Sequence, residues 1–172
     1  AIMATITFQG KPMNTSGELP VVGGPAPDFS LVNGRLQNIG LAKYSGKKKI
    51  LHIVPSLDTP DCAASTRRFN EKAAKLDNTV VLNISADLPF AQDRFCKTEK
   101  LKNIIPLSTF RSSFADDYGV KMIEGPLAGL TARAVVIIDE NDQVIYTQWV
   151  KEIRSEERRV GKECRSRWSP EH

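Results

Sequence analysis

Apolar positions along the chain fall into short runs separated by Gly, Pro and polar stretches. Thr5 to Phe8 alternates like a strand, Gly10-Lys11-Pro12 turns it, and a short return strand follows. Val21 to Pro27 is a Gly/Pro-rich connection, Phe29 to Val32 a short strand, and Gly40 to Ser45 holds one helical turn before Gly46. KKILHIV (Lys48–Val54) is an apolar run stopped by Pro55, the pattern of a buried strand. Cys62, Thr66, Phe69, Ala73 and Leu76 then recur at helical spacing. TVVLNIS (Thr79–Ser85) is again strand-like. Asp87-Leu88-Pro89 reads as a cap with an early Pro, and Leu88, Ala91 and Phe95 share one face of the helix that follows. Ile104 to Phe110 reads as a strand and Ser112 to Tyr118 as a short helix ending at Gly119. Ala132–Asp139 and Gln143–Val150 are strands joined by Glu140-Asn141-Asp142 as a hairpin.

An opening hairpin, a β-α-β-α-β-α alternation and a closing hairpin predict a three-layer α/β domain with a mixed sheet. No repeat or linker divides it, and 172 residues suit a single core. The domain is expected over residues 3–153, because the pattern fails beyond it. Residues 154–172 hold six of the 24 basic and four of the 20 acidic groups, and so half of the net charge of +4. Val160 and Trp168 stand there without apolar periodicity. This segment is expected to be a basic, non-native or disordered tail, and Ala1-Ile2 to precede a natural start at Met3. The basic balance therefore says little about a nucleic-acid partner. No apolar run approaches the roughly 18 residues of a membrane span, and no secretory signal opens the chain. No membrane association is expected, and the cytoplasm is the expected compartment.

Three cysteines carry the candidate chemistry. In PSLDTPDC (Pro55–Cys62), Thr59 is a good N-cap and Pro60 suits the first helical position, which places Asp61 and Cys62 next. A Cys62 thiolate would then sit in a first turn whose free N–H groups favour negative charge. Asp58 and Asp61 oppose it, and Arg133, at the mouth of the ARAVVIID strand, is the favoured balancing cation. The plainer alternative is a small buried thiol at a helix start. Cys62-Ala-Ala-Ser65 lacks the second cysteine of a dithiol motif, so a partner thiol would be Cys96 or Cys164. The cysteines and two histidines have no zinc-ligand spacing.

The residues Pro55-x-x-x-Thr59-x-x-Cys62 match the signature of peroxiredoxins. Ser85–Cys96, Leu107–Arg111, Gly129–Val144, ITFQGKP and YGV are similar to the bacterial thiol peroxidase branch. The resemblance spans about Met3 to Ile153. It implies a thioredoxin-like fold with an N-terminal hairpin, and peroxide reduction without metal or organic cofactor. It implies Cys62 as peroxidatic and Cys96 as resolving cysteine, joined in an intramolecular disulfide. Thr59 and Arg133 would activate the sulfur and, with Pro55, bind the hydroperoxide. A homodimer recycled by thioredoxin is further implied. Where the family continues into an apolar C-terminal helix, this chain has the basic tail, and Cys164 is left as a surplus thiol. The competing classes are a monothiol disulfide exchanger, suggested by Ser65, and a non-catalytic redox-sensing domain.

Overall fold

The computed structural model describes residues 5–8 and 11–150. Its elements are β1 (Thr5–Phe8), β2 (Lys11–Asn14), β3 (Leu31–Val32), β4 (Asn38–Ile39), a 3₁₀ turn (Leu41–Tyr44) and β5 (Lys48–Ile53). There follow α1 (Pro60–Ala73), β6 (Thr79–Ser85), α2 (Pro89–Thr98), β7 (Ile105–Ser108), α3 (Phe114–Asp117), β8 (Ala134–Ile138) and β9 (Val144–Trp149). β1 and β2 pair as a hairpin, and the other strands form one sheet in the order β4-β3-β7-β6-β5-β8-β9. β5, β6 and β7 run parallel through α1 and α2, while β8 returns antiparallel on β5 and β9 on β8. The expected mixed α/β fold with an N-terminal hairpin is thus the observed one. The expected tail 154–172, with Cys164, lies outside the described residues, as does Ala1-Ile2.

β5 is buried at all six positions because both sheet faces are covered. One face packs Leu51, Ile53, Leu82, Ile84, Val136 and Ile138 against Phe29, Tyr44, Phe114 and Tyr118. The other packs Ile50, Val81, Val135 and Ile137 under Phe69 of α1, with Phe95 and Cys96 of α2 at its border. Towards the C-terminal ends of β5 and β6 this second face turns polar, at His52, Asn83 and Ser85, all buried. Gly119, with φ +69, ends the turn after α3 where a Cβ would meet the Glu18 carbonyl oxygen at 2.2 Å.

Several expectations shift. Lys11 and Pro12 belong to the return strand, opposite Phe8 and Thr7. The strand expected at Phe29 begins at Leu31, and the pairing Leu31–Ile39 adds β4, too short to show a period. α1 ends at Ala73 rather than Leu76. β7 is shorter than Ile104–Phe110, since its ladder with β6 runs only from Ile105 to Ser108.

The larger correction concerns α2. Its buried residues are Pro89 and Gln92, whereas Leu88 is 51% exposed and Ala91 is also exposed. Gln92 Nε2 donates to Ser85 Oγ at 3.0 Å and to the Leu107 carbonyl at 2.9 Å. These sheet partners rotate the helix one position from its apparent apolar stripe. Nor does Asp87 cap it: Leu88 is the N-cap residue, and no side-chain cap bond forms.

Candidate active site

The loop between β5 and α1 is tied at both ends. Val54 N donates to Ile84 O at 3.0 Å, and Val54 O accepts from Thr131 Oγ1 at 2.7 Å. Buried Pro55 follows and, lacking an N–H, ends the ladder. Asp87 then holds the next turn. Its carboxylate accepts from Ser56 Oγ (2.7 Å), Leu57 N (2.7 Å) and Ser85 Oγ (2.8 Å). Thr59 is extended (φ −95, ψ 145), its Oγ1 accepts from Cys62 N at 3.3 Å, and its carbonyl accepts from Ala63 N at 2.9 Å. The cap read from the sequence is the one observed, with Pro60, Asp61 and Cys62 in the first turn.

Cys62 is a free thiol, 1% exposed, packed with Val54 and Leu57 and against Phe95. Arg133 precedes β8 and comes up beside the same helix end, its Nη2 3.7 Å from Asp61 Oδ2. Thr131, two residues earlier and fully buried, steers it there through the bond to Val54. Thr59, Cys62, Pro55 and Arg133 therefore converge on one end of α1.

Cys96 stands apart from them. It is a half-buried free thiol whose contacts lie in the Phe69 cluster, while its neighbour Phe95 packs against the cluster of Cys62. Burial, reinforced by the Asp93 carboxylate, pushes the Cys96 thiol up to about 11. α2 walls an open groove of about 720 Å³, with Leu57 and Asp58 opposite Phe90, Ala91, Arg94 and Phe95.

Four residues join the site that the motif did not indicate. Asp87 and Thr131 act through bonds to residues 30 and 77 positions away, outside any local pattern. His52 and Asn83 lie buried beneath α1 and bond to each other. Their only sequence signal is a polar residue inside each apolar run. Among the described residues, no group of three or more His, Cys, Asp or Glu is placed to hold a metal ion. No helix among them is long and apolar enough to cross a membrane.

The Redoxin family model matches residues 21–163. Thiol peroxidase from Corynebacterium glutamicum is 51% identical over 154 residues, covering 90% of this chain and 93% of that protein. Thiol peroxidase from Mycobacterium bovis is 52% identical over the same shares of each chain. The chain belongs to the thiol peroxidases, within the redoxin family. The crystal structure of a peroxiredoxin-like protein from Aquifex aeolicus superposes with a TM-score of 0.85 at 38% identity, covering 95% of this chain and 99% of that one. The fold is thus that of the thioredoxin-like peroxiredoxins. Peroxide reduction by a thiol, an oxidoreductase activity, goes with membership of the thiol peroxidase family.

Proposed function

We propose that Cys62 is the peroxidatic cysteine and that Cys96 resolves it. The observation that carries this reading is the setting of Cys62, in the first turn of α1 under the Thr59 cap, with Arg133 beside that turn. The Cys62 thiolate attacks one oxygen of ROOH, the O–O bond breaks, and the leaving RO⁻ takes a proton to become water or alcohol. Cys62 is left as sulfenic acid. Thr59 and Arg133 orient the peroxide and stabilise the charge developing on the leaving oxygen, and Pro55 walls the pocket. The Cys96 sulfur then displaces hydroxide from the sulfenic sulfur, giving a Cys62–Cys96 disulfide and water. Thioredoxin returns both thiols by exchange. Hydrogen peroxide and organic hydroperoxides are the substrates of this antioxidant cycle. The working form is a cytoplasmic homodimer of a domain over residues 3–153, with no cofactor, nucleic-acid or membrane partner.

Intact mass after one equivalent of peroxide tests the pairing. The expected product has lost two hydrogens per chain, with peptide mapping that joins Cys62 to Cys96. A chain that gains one oxygen and keeps Cys96 open to alkylation would remove Cys96 from the cycle. Unimpaired peroxide consumption by Cys62→Ser would remove Cys62.

A further inference from the structure

Beneath α1, where this sheet face turns polar, His52 of β5 lies opposite Asn83 of β6. Both are buried, at 3% and 0% exposure. His52 Nδ1 meets Asn83 Oδ1 at 2.5 Å, and Nε2 meets Ser65 Oγ at 2.8 Å. Thr66 Oγ1 donates to the same Asn83 oxygen at 3.4 Å. Phe69 stacks on the imidazole, ring centroids 4.3 Å apart and planes 27° from parallel. Burial, aided by the nearby Arg133 charge, lowers His52 to about 4. The ring is therefore neutral near pH 7, with Nδ1–H donating to Asn83 and Nε2 accepting from Ser65.

The ring thus grips Ser65 and Phe69, on the face of α1 that also carries Cys62. The turn before Ser65 is held differently. Its side-chain cap is the 3.3 Å bond from Cys62 N to Thr59, and Pro60 and Asp61 are exposed. Cys62, 1% exposed, lies against Phe95, while Cys96 packs in the neighbouring cluster. Opening the start of α1 would free the Cys62 sulfur from this burial.

We propose that His52 is a positioning residue that sets where this opening stops: residues 59–64 unwind to deliver Cys62, while α1 stays docked from Ser65 onward. Opening past that point would strand a buried ring nitrogen and expose Phe69, so the helix rewinds from a preserved template. The proposal rests on Cys62 and Cys96 being the redox pair.

Peptide-resolved amide exchange on the reduced protein tests it, together with the sulfinic-acid yield at Cys62 under excess peroxide. In the wild type, exchange is fast through residue 64 and falls sharply from Ser65. Ser65→Ala and His52→Gln should each move that boundary towards Ala73, with exchange over residues 66–70 rising about tenfold, the effect of one lost buried hydrogen bond. β6 and β8 should not change. Easier opening favours disulfide closure, so the sulfinic yield should fall several-fold. An unmoved boundary in both variants, or a rise shared equally by β6 and β8, overturns the proposal, as does an unchanged sulfinic yield. If the wild type forms no Cys62–Cys96 disulfide, the redox pair fails instead. The exchange boundary, which needs no resolving thiol, still decides what His52 does.

Discussion

Asp87 gives the sharpest test of how the reactive loop is held. Its carboxylate accepts from Ser56 Oγ and Leu57 N, both at 2.7 Å, and from Ser85 Oγ at 2.8 Å. Hydrogen bonds to an ionised partner contribute about 1.5–3 kcal/mol, and neutral ones about 1 kcal/mol. Asp87→Asn keeps the shape and removes the charge. Turned with its NH₂ towards Ser56, whose hydroxyl can accept instead, the amide still receives the Leu57 N–H. Three charged bonds become neutral, and with Asp87 only half-buried the lower end applies, a loss of about 1.5 kcal/mol. Asp87→Ala also deprives the Leu57 N–H of its acceptor and should cost about 4 kcal/mol. Urea unfolding of the reduced protein measures both values. The loop that Asp87 anchors leads directly to Thr59 and Cys62, so peroxide reduction should fall between tenfold and a hundredfold, the scale of a displacement of roughly 1 Å at a reacting group. An Asp87→Ala protein as stable as the wild type and equally fast would refute this account of the loop.

Other expectations follow from the same geometry. His52 falls from 6.5 to about 4 in the fold, so between those values the unfolded chain binds the extra proton. Stability is then lost as pH drops through that window, by about 3 kcal/mol in total, and His52→Gln should flatten that part of the profile in urea titrations. Asp61 is 75% exposed and its ion pair with Arg133 is long at 3.7 Å, so it competes only modestly for the guanidinium. Asp61→Asn should quicken peroxide reduction by about two- to fivefold, and the gain should shrink at high salt; a slower variant would mean that Asp61 orients Arg133. With Cys96 at about 11, its thiolate is scarce at neutral pH. If it attacks from this position, single-turnover disulfide closure should rise close to tenfold per unit between about pH 7 and 9. A flat profile would mean that Cys96 leaves its burial before it reacts.

What the sequence by itself determined lies within a few residues of each feature. The Thr59 cap, Pro60 in the first turn and Cys62 after it depend on contacts spanning at most four positions, and all are observed as read. The order of strands and helices was legible for the same reason, since covering both sheet faces leaves long apolar runs in β5, β6 and β8. Tertiary structure alone decided which way α2 faces. Residues 88, 91 and 95 offer an apolar stripe, yet the acceptors Ser85 Oγ and Leu107 O draw Gln92 inward and leave Phe90 65% exposed beside the reactive loop. It also decided the work of Asp87, which has the look of a helix cap but spends its carboxylate on a turn some 30 residues earlier. The separation of Cys62 from Cys96 into different clusters belongs to the same class. A buried polar group must find partners wherever packing places them, and that search crosses the chain without leaving a period in it.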